Sequence, residues 1–410
     1  MNIVGIISEY NPFHNGHLHQ INEIKKLFHN DVIIICLLSS NFVQRGEPAL
    51  TDKYTRADMA ISNGAGIVLE YPSLFCCTSA EAYADNAVYI LNNIGIIDYI
   101  CYGSKASDND NVKKISSALA EESDDYKDIL KSELSKGVSF PKARANALVS
   151  LMNDCDMENN RLSETLKSSN DILAIEYEKA LIRQKSALFT IPIERIGSDY
   201  NDQSLKETFS SATAIRKQLL SNPEDIQSLE ENIPLSTMEI LKNYTKIKNY
   251  GSMDLFNDLI LYSIISKSNK EIRNFPLVNE GIENLLKKNV HSSRSVFDFV
   301  QSCINKRYPA TRIQRLLIHM LLGADKDIYS RFKRPGYVRI LACADKYLLS
   351  QISQKSKLPI FTSLKKSYNV SDLNVKTLIE FENKACDIYN MVCLKDKSDY
   401  CSEFSIKTKI

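Results

Sequence analysis

The chain begins with an apolar strand, a tight polar loop and the start of a helix, and this stretch constrains the fold more than any other. Asn2–Ser8 is apolar on both faces, which is the pattern of a parallel strand covered by helices. The loop that follows ends in His14-Asn15-Gly16-His17. Apolar residues at helical spacing then continue to about residue 28. The sequence therefore predicts the first strand–loop–helix unit of an α/β fold.

The same alternation of strand and helix continues along the chain. Further strands are predicted at 31–38, 66–70, 99–102 and 192–196, and further helices at 53–63, 80–94, 137–151 and 172–186. Short connections predict a doubly wound parallel sheet with right-handed crossovers. Ligands bind such sheets at the carboxyl ends of the strands. We therefore expect four loops to line a site: residues 9–17, 39–47, 71–80 and 103–105.

The strand signal stops near residue 222, and helical spacing of apolar residues takes over. We predict a catalytic α/β domain over residues 1–220 and a mainly helical domain over 221–410, with a small α/β piece at 338–362. Hydrophobic residues make up 44% and charged residues 25% of the chain, as in globular proteins. No apolar run approaches the ~18 residues of a membrane span, and the N-terminus lacks a basic signal region. We expect a cytoplasmic location and no membrane association.

Ten cysteines are present, but no two of them form a Cys-x-x-Cys pair. Structural zinc sites need closely spaced ligands. Several of the cysteines lie inside apolar runs, where a free thiol behaves as a small hydrophobic side chain. We expect most of them to be buried, and no metal site is predicted.

His14 and His17 lie one turn apart at the start of a helix. The N–H groups of a first helical turn are unpaired, and the helix dipole favours anions there. Imidazoles in this position can donate hydrogen bonds to phosphate oxygens, and Gly16 leaves space for a base or ribose. The alternative is two capping or core histidines, and the tetrapeptide alone does not separate the two interpretations.

A second motif begins the helix that follows the fifth strand. Residues 210–216 read Ser-Ser-Ala-Thr-Ala-Ile-Arg. The hydroxyls of Ser210, Ser211 and Thr213 could hold phosphates, and Arg216 could neutralise a leaving pyrophosphate. The alternative is an ordinary N-cap followed by a surface arginine. Two such motifs in one α/β domain favour a nucleotide site over two independent helix caps.

Longer strings around these motifs carry a family resemblance. They are Gly-Ile-Ile-Ser-Glu-Tyr-Asn-Pro-Phe-His-Asn-Gly-His at 5–17, Asn-Phe-Val-Gln-Arg-Gly-Glu-Pro-Ala at 41–49, Ile-Glu-Tyr at 175–177 and Thr-Arg-Ile-Gln-Arg at 311–315. Together they resemble the tRNA(Met) cytidine acetate ligase family of the HIGH-type nucleotidyltransferase superfamily, over almost the whole chain. The resemblance implies a Rossmann-like (HUP/nucleotidyltransferase) parallel sheet domain followed by a mainly α-helical RNA-binding domain.

The resemblance also implies a two-step reaction. ATP and acetate would give acetyl-adenylate and pyrophosphate. The acetyl group would then pass to the wobble cytidine of elongator tRNA(Met), giving N4-acetylcytidine. Mg²⁺ is implied with ATP, but nothing in the sequence determines its ligands.

Site residues follow from the two motifs and from the resemblance, position by position. The expected catalytic residues are His14, His17, Arg45, Ser211 and Arg216. The expected ATP contacts are Ile7, Ser8, Glu9, Tyr10, Asn11, Pro12, Phe13, His14, Asn15, Gly16, His17, Leu18, His19, Gln20, Gly103, Asn170, Arg195, Ser210 and Thr213. Several have simpler alternatives: Arg45 as a solvated loop residue, Gly103 as a turn glycine, Asn170 as a helix cap, and Arg195 as a strand-edge charge.

Residues 306–339 carry an unusual concentration of positive charge. Nine basic and two acidic residues give this stretch a net charge of +7 in a protein whose formal net charge is +1. Such a patch suits binding to a phosphate backbone. The expected RNA contacts are Arg312, Arg315, Arg331, Lys333 and Arg334, with 331–336 as an exposed loop. Four interleaved aromatic residues could stack on unpaired bases, or form a core under a solvated basic face: Tyr308, Tyr329, Phe332 and Tyr337.

Two other functions remain open at this point. A small-molecule adenylyltransferase of coenzyme synthesis would use the same nucleotide site, but it would leave the basic helical region unexplained. A non-catalytic RNA-binding protein would not need His14 and His17.

Overall fold

The computed structural model describes residues 1–105, 109–152, 165–166, 168–195, 209–279, 281–406 and 408–409. Its strands are Asn2–Ser8 (β1), Val32–Ser39 (β2), Phe42–Val43 (β3), Glu47–Pro48 (β4), Ile67–Tyr71 (β5), Tyr99–Ser104 (β6), Phe189–Glu194 (β7), Val338–Cys343 (β8) and Ile360–Phe361 (β9). Seven of them form one sheet in the order β7-β6-β1-β2-β5-β8-β9, and β3 and β4 form a separate antiparallel hairpin. The predicted α/β fold is confirmed.

The order of the strands determines where a ligand can bind. β1 lies between β2 and β6 and is parallel to both, with Ile6 opposite Cys36 on one side and Cys101 on the other. The chain moves outward from β1 through β2 and β5, and then returns to place β6 on the opposite side of β1. The order of the strands therefore reverses at β1 and β6. Crevices at the carboxyl ends of such strands are the usual ligand sites of open α/β sheets.

The sheet is mostly parallel, as the sequence predicts, but one pair of its strands is antiparallel. β8 pairs antiparallel with β5, and β9 pairs with β8. Both strands come from the small α/β piece expected at 338–362, which adds to the edge of the main sheet. The predicted loop at 39–47 is also more ordered than expected, because β3 and β4 lie in it. The prediction of a domain boundary at residue 220 is not tested by these contacts and stays a prediction.

Nineteen α-helices lie in the described ranges. They are Asn15–Leu27 (α1), Lys53–Ser62 (α2), Ser73–Cys76 (α3), Ala80–Ile94 (α4), Asn109–Glu121 (α5), Asp124–Ser135 (α6), Phe140–Met152 (α7), Ser169–Arg183 (α8), Ala212–Ser221 (α9), Leu235–Ile247 (α10), Asn257–Ile265 (α11), Asn269–Arg273 (α12), Ile282–Val290 (α13), Val296–Cys303 (α14), Ala310–Leu322 (α15), Lys326–Arg331 (α16), Lys346–Lys355 (α17), Leu364–Val370 (α18) and Leu373–Cys393 (α19). Among those described, no helix is long and apolar enough to cross a membrane.

Side chains on the two faces of the sheet enter two separate cores, because alternate residues of a strand point to opposite faces. Val4, Ile6 and Cys36 pack with residues of α1, α2 and α10. Ile35 and Leu37 face the other way, toward α4 and α8. This second core is continuous with the buried faces of the C-terminal helices. Eight cysteines are buried as expected, Cys401 is exposed, and Cys155 lies outside the described residues.

A buried group of charged side chains joins the end of the chain to the sheet; we refer to Lys53, Glu70, Arg339, Glu382 and Glu403 as the Lys53 cluster. The Lys53 ammonium is fully buried and contacts Glu70, and it lies 2.9 Å from Glu403 Oε2. Arg339 also pairs with Glu403. Burying charges is costly unless they are paired, and here each cation has a carboxylate partner.

Candidate nucleotide-binding site

A cavity of about 620 Å³ opens where the order of the strands reverses. Its walls come from the loop after β1, the start of α1, the β3–β4 hairpin, the N-terminus of α4, the end of β6, α8, and the segment that leads into α9. All four loops predicted to line a site contribute residues to this one cavity. The location expected from strand order and the location of the cavity therefore agree.

His14 and His17 form a reciprocal cap at the start of α1. The N–H of Gly16 donates to His14 Nδ1 at 3.1 Å, and the N–H of His14 donates to His17 Nδ1 at 3.2 Å. The two rings stack with centroids 3.7 Å apart. The capping alternative is thus true of both histidines, but both rings also line the cavity. Because each Nδ1 accepts a hydrogen bond, the proton of each neutral imidazole lies on Nε2.

Both imidazoles are held in the neutral form. Burial, followed by the charges of Arg195 and Arg216, lowers the pKa of His14 to about 3. Burial, followed by His14 and Arg195, lowers the pKa of His17 well below its usual value. Within the described part of the chain, Nε2 of either ring has no hydrogen-bond partner. The pair therefore offers two Nε2–H donors to a ligand, flanked by two guanidinium groups.

Gly16 is required for a reason other than space for a ligand. A Cβ on Gly16 would lie 2.9 Å from Cε1 of the His14 ring, closer than side chains tolerate. The glycine therefore lets the His14 ring fold back over the first turn of α1. Gly16 also lines the cavity, and its expected contact with a base or ribose stays a prediction.

Arg56, in α2, holds the loops after β1 and β2 in place. Its fully buried guanidinium donates to the carbonyl oxygens of Glu9 at 2.7 Å, Ser39 at 2.8 Å and Ser40 at 2.6 Å. The carbonyl oxygen of Thr51 accepts a fourth bond at 3.0 Å. A guanidinium has five donors in a rigid plane, which suits a residue that organises several carbonyls. One side chain thus positions two walls of the cavity.

The start of α9 contributes the second motif. Ser211 is the N-cap, and its Oγ accepts the N–H of Ala214 at 3.0 Å. Arg216 donates from Nη1 to the carbonyl oxygen of Asn11 at 3.0 Å and from Nη2 to Thr213 Oγ1 at 3.3 Å. Arg216 therefore links α9 to the loop after β1. The N-terminal end of α9 and the arginine both face the cavity, as an anion site requires.

Gly103, Asn170 and Arg195 come together on the cavity wall. Arg195 donates to Asn170 Oδ1 at 3.3 Å, and a Cβ on Gly103 would lie 2.9 Å from Cγ of Arg195. The Arg195 side chain therefore lies across Gly103 and covers its backbone on that side. Asn170 is not the N-cap of its helix, and neither is Asp171, because Ser168 accepts the N–H of Asp171.

The β3–β4 hairpin packs against α15 and brings a residue of the C-terminal half into the cavity. Gly46 has φ +83°, and a Cβ there would lie 2.3 Å from the backbone nitrogen of Arg315. Gln314 also donates to Glu47 Oε1 at 3.2 Å. Arg45 and Arg315 consequently line the same end of the cavity. The Nε of Arg315 is buried and has no hydrogen-bond partner among the described residues.

Most of the expected ATP contacts line the cavity. The residues that do so are Ile7, Ser8, Glu9, Tyr10, Asn11, His14, Gly16, His17, His19, Gln20, Gly103, Asn170, Arg195 and Ser210. The residues that do not are Pro12, Phe13, Asn15, Leu18 and Thr213; Phe13, for example, is fully buried in the core. All five expected catalytic residues lie on the wall: His14, His17, Arg45, Ser211 and Arg216. The role of each residue stays a prediction.

The basic stretch does not form a single surface. Arg315 faces the cavity, Arg334 pairs with Asp85 at 2.7 Å, and Arg339 is buried in the Lys53 cluster. Arg312 lies over the Tyr308 ring, whereas Arg331 and Lys333 are exposed. Residues 331–336 are not a fully exposed loop, because Phe332 is buried.

The interpretation of the four aromatic residues as base-stacking platforms is wrong. Tyr308, Phe332 and Tyr337 are core residues, and Tyr329 packs beside that core. The Tyr329 hydroxyl also donates to the carbonyl oxygen of Leu74 at 2.9 Å. These rings pack beneath the helices that carry the arginines, so they are not available to stack on bases.

Several cavity residues were missed from the sequence. Tyr83 and Tyr177 face the cavity from α4 and α8, but each also reads as an ordinary apolar position of an amphipathic helix. Arg144 and Glu176 form an ion pair on the same wall. Arg56 gave no signal either, since an arginine within a helix normally faces solvent. No group of three or more metal-ligating side chains occurs in the described ranges.

An α/β sheet with paired imidazole donors at a helix start, and with arginines around one cavity, defines a nucleotide-binding protein of the nucleotidyltransferase class. The profile of the HIGH nucleotidyl transferase family matches residues 1–403. The chain is 39% identical to the tRNA(Met) cytidine acetate ligase of Clostridium perfringens, over 98% of both chains. It is also 39% identical to the ligase of the same name from Acetivibrio thermocellus, over 97% of this chain and 96% of the relative.

Solved structures agree with the sequence relatives. Apo TmcAL of Thermotoga maritima superposes with a TM-score of 0.93 at 30% identity, covering 100% of both chains. TmcAL of the same organism bound with alpha-thio ATP gives a TM-score of 0.90. The chain belongs to the tRNA(Met) cytidine acetate ligase family of HIGH nucleotidyl transferases. The resemblance noted in the sequence is thereby confirmed.

Proposed function

We propose that the chain is an ATP-dependent acetate ligase that modifies RNA. Acetate attacks the α-phosphate of ATP, forming acetyl-adenylate and releasing pyrophosphate. The acetyl group then passes to N4 of the wobble cytidine of elongator tRNA(Met), giving N4-acetylcytidine and AMP. The ligase name of relatives that share the whole length of the chain supports this assignment. The setting for such a reaction is cytoplasmic.

One observation carries the proposal: two neutral imidazoles with free Nε2–H groups lie between Arg195 and Arg216 on the cavity wall. Negative charge grows on the phosphate oxygens as the carboxylate attacks and pyrophosphate leaves. Fixed donors aimed at such charge stabilise the transition state without reorganising. His14 and His17 therefore act as hydrogen-bond donors to the phosphates, and Arg216 balances the charge of the pyrophosphate.

ATP binding is supported by the nucleotidyl transferase family and by the ATP-analogue complex of the structural relative. Mg²⁺ would accompany ATP, and the described residues offer it no cage of three or more ligands. Mg²⁺ usually keeps several waters and binds through substrate phosphates with one or two carboxylates. We propose that the phosphates of ATP hold most of the ion here.

The tRNA is proposed to bind through the C-terminal half, residues 221–410. In this proposal Arg312, Arg331 and Lys333 contact phosphates outside the cavity, and Arg315 contacts the nucleotide that enters it. A base inside an anticodon loop can be extruded into a pocket for chemistry. Arg334 is a weaker candidate, because it already pairs with Asp85.

Nucleoside mass spectrometry tests the function directly. The protein is incubated with ATP, acetate and tRNA(Met), and the digested tRNA is searched for N4-acetylcytidine. Exchange of pyrophosphate into ATP tests the first step alone, and it should require acetate. Acetate-independent exchange, or exchange with a different acid only, would contradict the choice of substrate. Exchange without any change in the tRNA would favour a small-molecule adenylyltransferase.

A further inference from the structure

Glu9 holds a position in the cavity that the phosphate-binding role of its neighbours does not use. It follows β1 directly, and its Oε1 accepts the N–H of Gln44 at 3.0 Å. No hydrogen bond reaches Oε2 from the described parts of the chain, and the side chain lines the cavity. Its backbone is held separately, through the bond from Arg56 to the Glu9 carbonyl oxygen. One oxygen of the carboxylate, Oε1, is thus held by a hydrogen bond, and the other, Oε2, is open to a ligand in the cavity.

Most other titratable groups of the cavity are occupied by hydrogen bonds or ion pairs of their own. His14 and His17 carry their proton on Nε2, the atom that faces a ligand, so neither can accept one there. Glu81 pairs with Lys179 at 2.8 Å and with Arg183 at 3.0 Å. Glu176 contacts both Arg144 and Lys179.

His19 also lines the cavity, and its ring lies edge-on to Phe209 with the ring centroids 6.3 Å apart. Glu194 is exposed at the end of β7, beside Arg195 and far along the chain from the β1 loop. The phenols that face Glu9 keep their own protons and cannot accept another, because burial raises the pKa of Tyr83 and of Tyr177. Glu9 is therefore the carboxylate of the described wall with an open oxygen, and the charge of Arg216 acts on it as it does on His14.

The second step of the proposed function needs such an acceptor, and the inference rests on that function. The N4 amine of cytidine is conjugated with its ring, so it is a weak nucleophile and must lose a proton to become an amide. We propose that Glu9 Oε2 accepts this proton during acetyl transfer. The N4–C bond to the acetyl carbonyl forms, the bond between that carbon and the phosphate oxygen breaks, AMP leaves with the electron pair, and the N4 proton goes to Glu9.

The surroundings of Glu9 change its strength as a base in two opposing ways. Burial raises the pKa of Glu9. The N–H of Gln44 and the charges of Arg216, Arg45 and Arg56 act in the opposite direction. The arginines keep the carboxylate ionised when the site is ready, and burial makes it a stronger base than an exposed glutamate. A general base of this kind is most effective when its pKa lies near the working pH.

The two steps are measured separately on Glu9→Gln, which keeps an oxygen to accept the Gln44 N–H. Acetate-dependent exchange of pyrophosphate reports the first step. Single-turnover transfer from preformed acetyl-adenylate to tRNA(Met), followed as N4-acetylcytidine between pH 6 and 9, reports the second. We expect the loss in transfer to exceed the loss in exchange by about 100-fold or more, with the acidic limb of the pH profile removed. Thermal unfolding of the variant confirms that it is folded.

Glu9→Asp and Glu23→Gln serve as matched variants. The aspartate should restore part of the transfer rate and its pH dependence, and the glutamine at the α1 surface should behave as wild type. Equal losses in both steps would overturn the proposal and place Glu9 in ATP activation. Full retention of transfer would also overturn it, with the leaving phosphate as the proton acceptor. If wild-type protein makes no N4-acetylcytidine at all, the proposed function itself fails.

Discussion

The imidazole rings of His14 and His17 stack on each other with each Nδ1 occupied by a backbone N–H. This arrangement leaves only the Nε2–H group of each ring for a ligand, so the pair can donate two hydrogen bonds to it. Replacing His17 by Asn removes one donor from the phosphates. We expect acetate-dependent pyrophosphate exchange to fall by about 100-fold or more. His291→Gln, at an exposed histidine, should leave exchange unchanged, and equal rates in the two variants would contradict the role of His17.

The lowered pKa values of the two histidines predict a pH profile for the first step. The neutral form is the donor, and the pKa of His14 lies at about 3. Protonation therefore removes activity only in strong acid, and exchange should stay level between pH 6 and 8. An inflection near pH 6.5 that disappears in His17→Asn would contradict this. The same shift gives folding a contribution that is present above pH 6.5 and is lost as the pH falls toward 3.

Arg56 offers a test of how the cavity is held together. Arg56→Met removes four hydrogen bonds to carbonyl oxygens and leaves those oxygens buried. We expect the free energy of unfolding to fall by about 3 kcal/mol, and exchange activity to fall with it because the loop that leads to His14 and His17 loses its support. Chemical denaturation measures the first effect. Arg294→Met, at an exposed arginine, is the control, and a change of the same size there would refute the argument.

Arg315 should distinguish RNA binding from ATP activation. Its guanidinium lines the cavity beside Arg45, with Nε unpartnered. Arg315→Gln is expected to raise the KM for tRNA by about tenfold and to lower the dependence of binding on salt by about one counterion. The rise should exceed any change in the KM for acetate. A larger change for acetate would instead assign Arg315 to the carboxylate, and Arg294→Gln controls for the lost charge.

Glu382 predicts an unusual dependence of stability on pH. Burial and the nearby Glu70 raise its pKa to about 7, whereas the unfolded chain has the ordinary value near 4.5. Between these values the folded state keeps a proton that the unfolded state has lost, so this contribution to stability falls as the pH rises and levels off above 7. Glu382→Gln removes the effect. Relative to wild type, the variant should gain on the order of 3 kcal/mol between pH 4.5 and 7.

Denaturation of both proteins across this pH range measures the difference, which isolates Glu382 from the histidines that titrate in the same window. The hydrogen bonds from Ser73 to the Glu382 carboxyl give the amide oxygen of the variant a donor. A constant difference between the two proteins from pH 4.5 to 7 would show that Glu382 does not titrate there.

The sequence predicted the parts of the fold that depend on local pattern. The bounds of β1 and α4 agree with the predicted ones, since an apolar run and the periodicity of an amphipathic helix can be recognised in the sequence itself. The antiparallel pairing of β8 was not predicted, because a six-residue apolar run does not reveal its direction or its neighbour. The pairing with β5 joins Val68 to Ala342, and no local pattern connects residues so far apart.

The site shows the same division. His14, His17, Ser211 and Arg216 were found because each belongs to a short motif whose chemistry can be read locally. The position of Arg315 in the cavity was not predicted, because it depends on Gly46 allowing the hairpin to contact α15. The buried aromatic residues of the basic stretch were misinterpreted for a related reason: burial is a property of the assembled helices and not of their composition.

The pairing of Lys53 with Glu403 has a consequence for synthesis of the protein on the ribosome. The ammonium is made early, next to the strands of the cavity, but the Glu403 carboxylate is made about 350 residues later. Until then the nascent sheet holds a cation that it cannot bury, and β8 is missing from its edge. A prematurely terminated product would therefore expose an incomplete sheet edge to quality-control proteases. The burial of Lys53 is therefore completed only when the segment that carries Glu403 has been made.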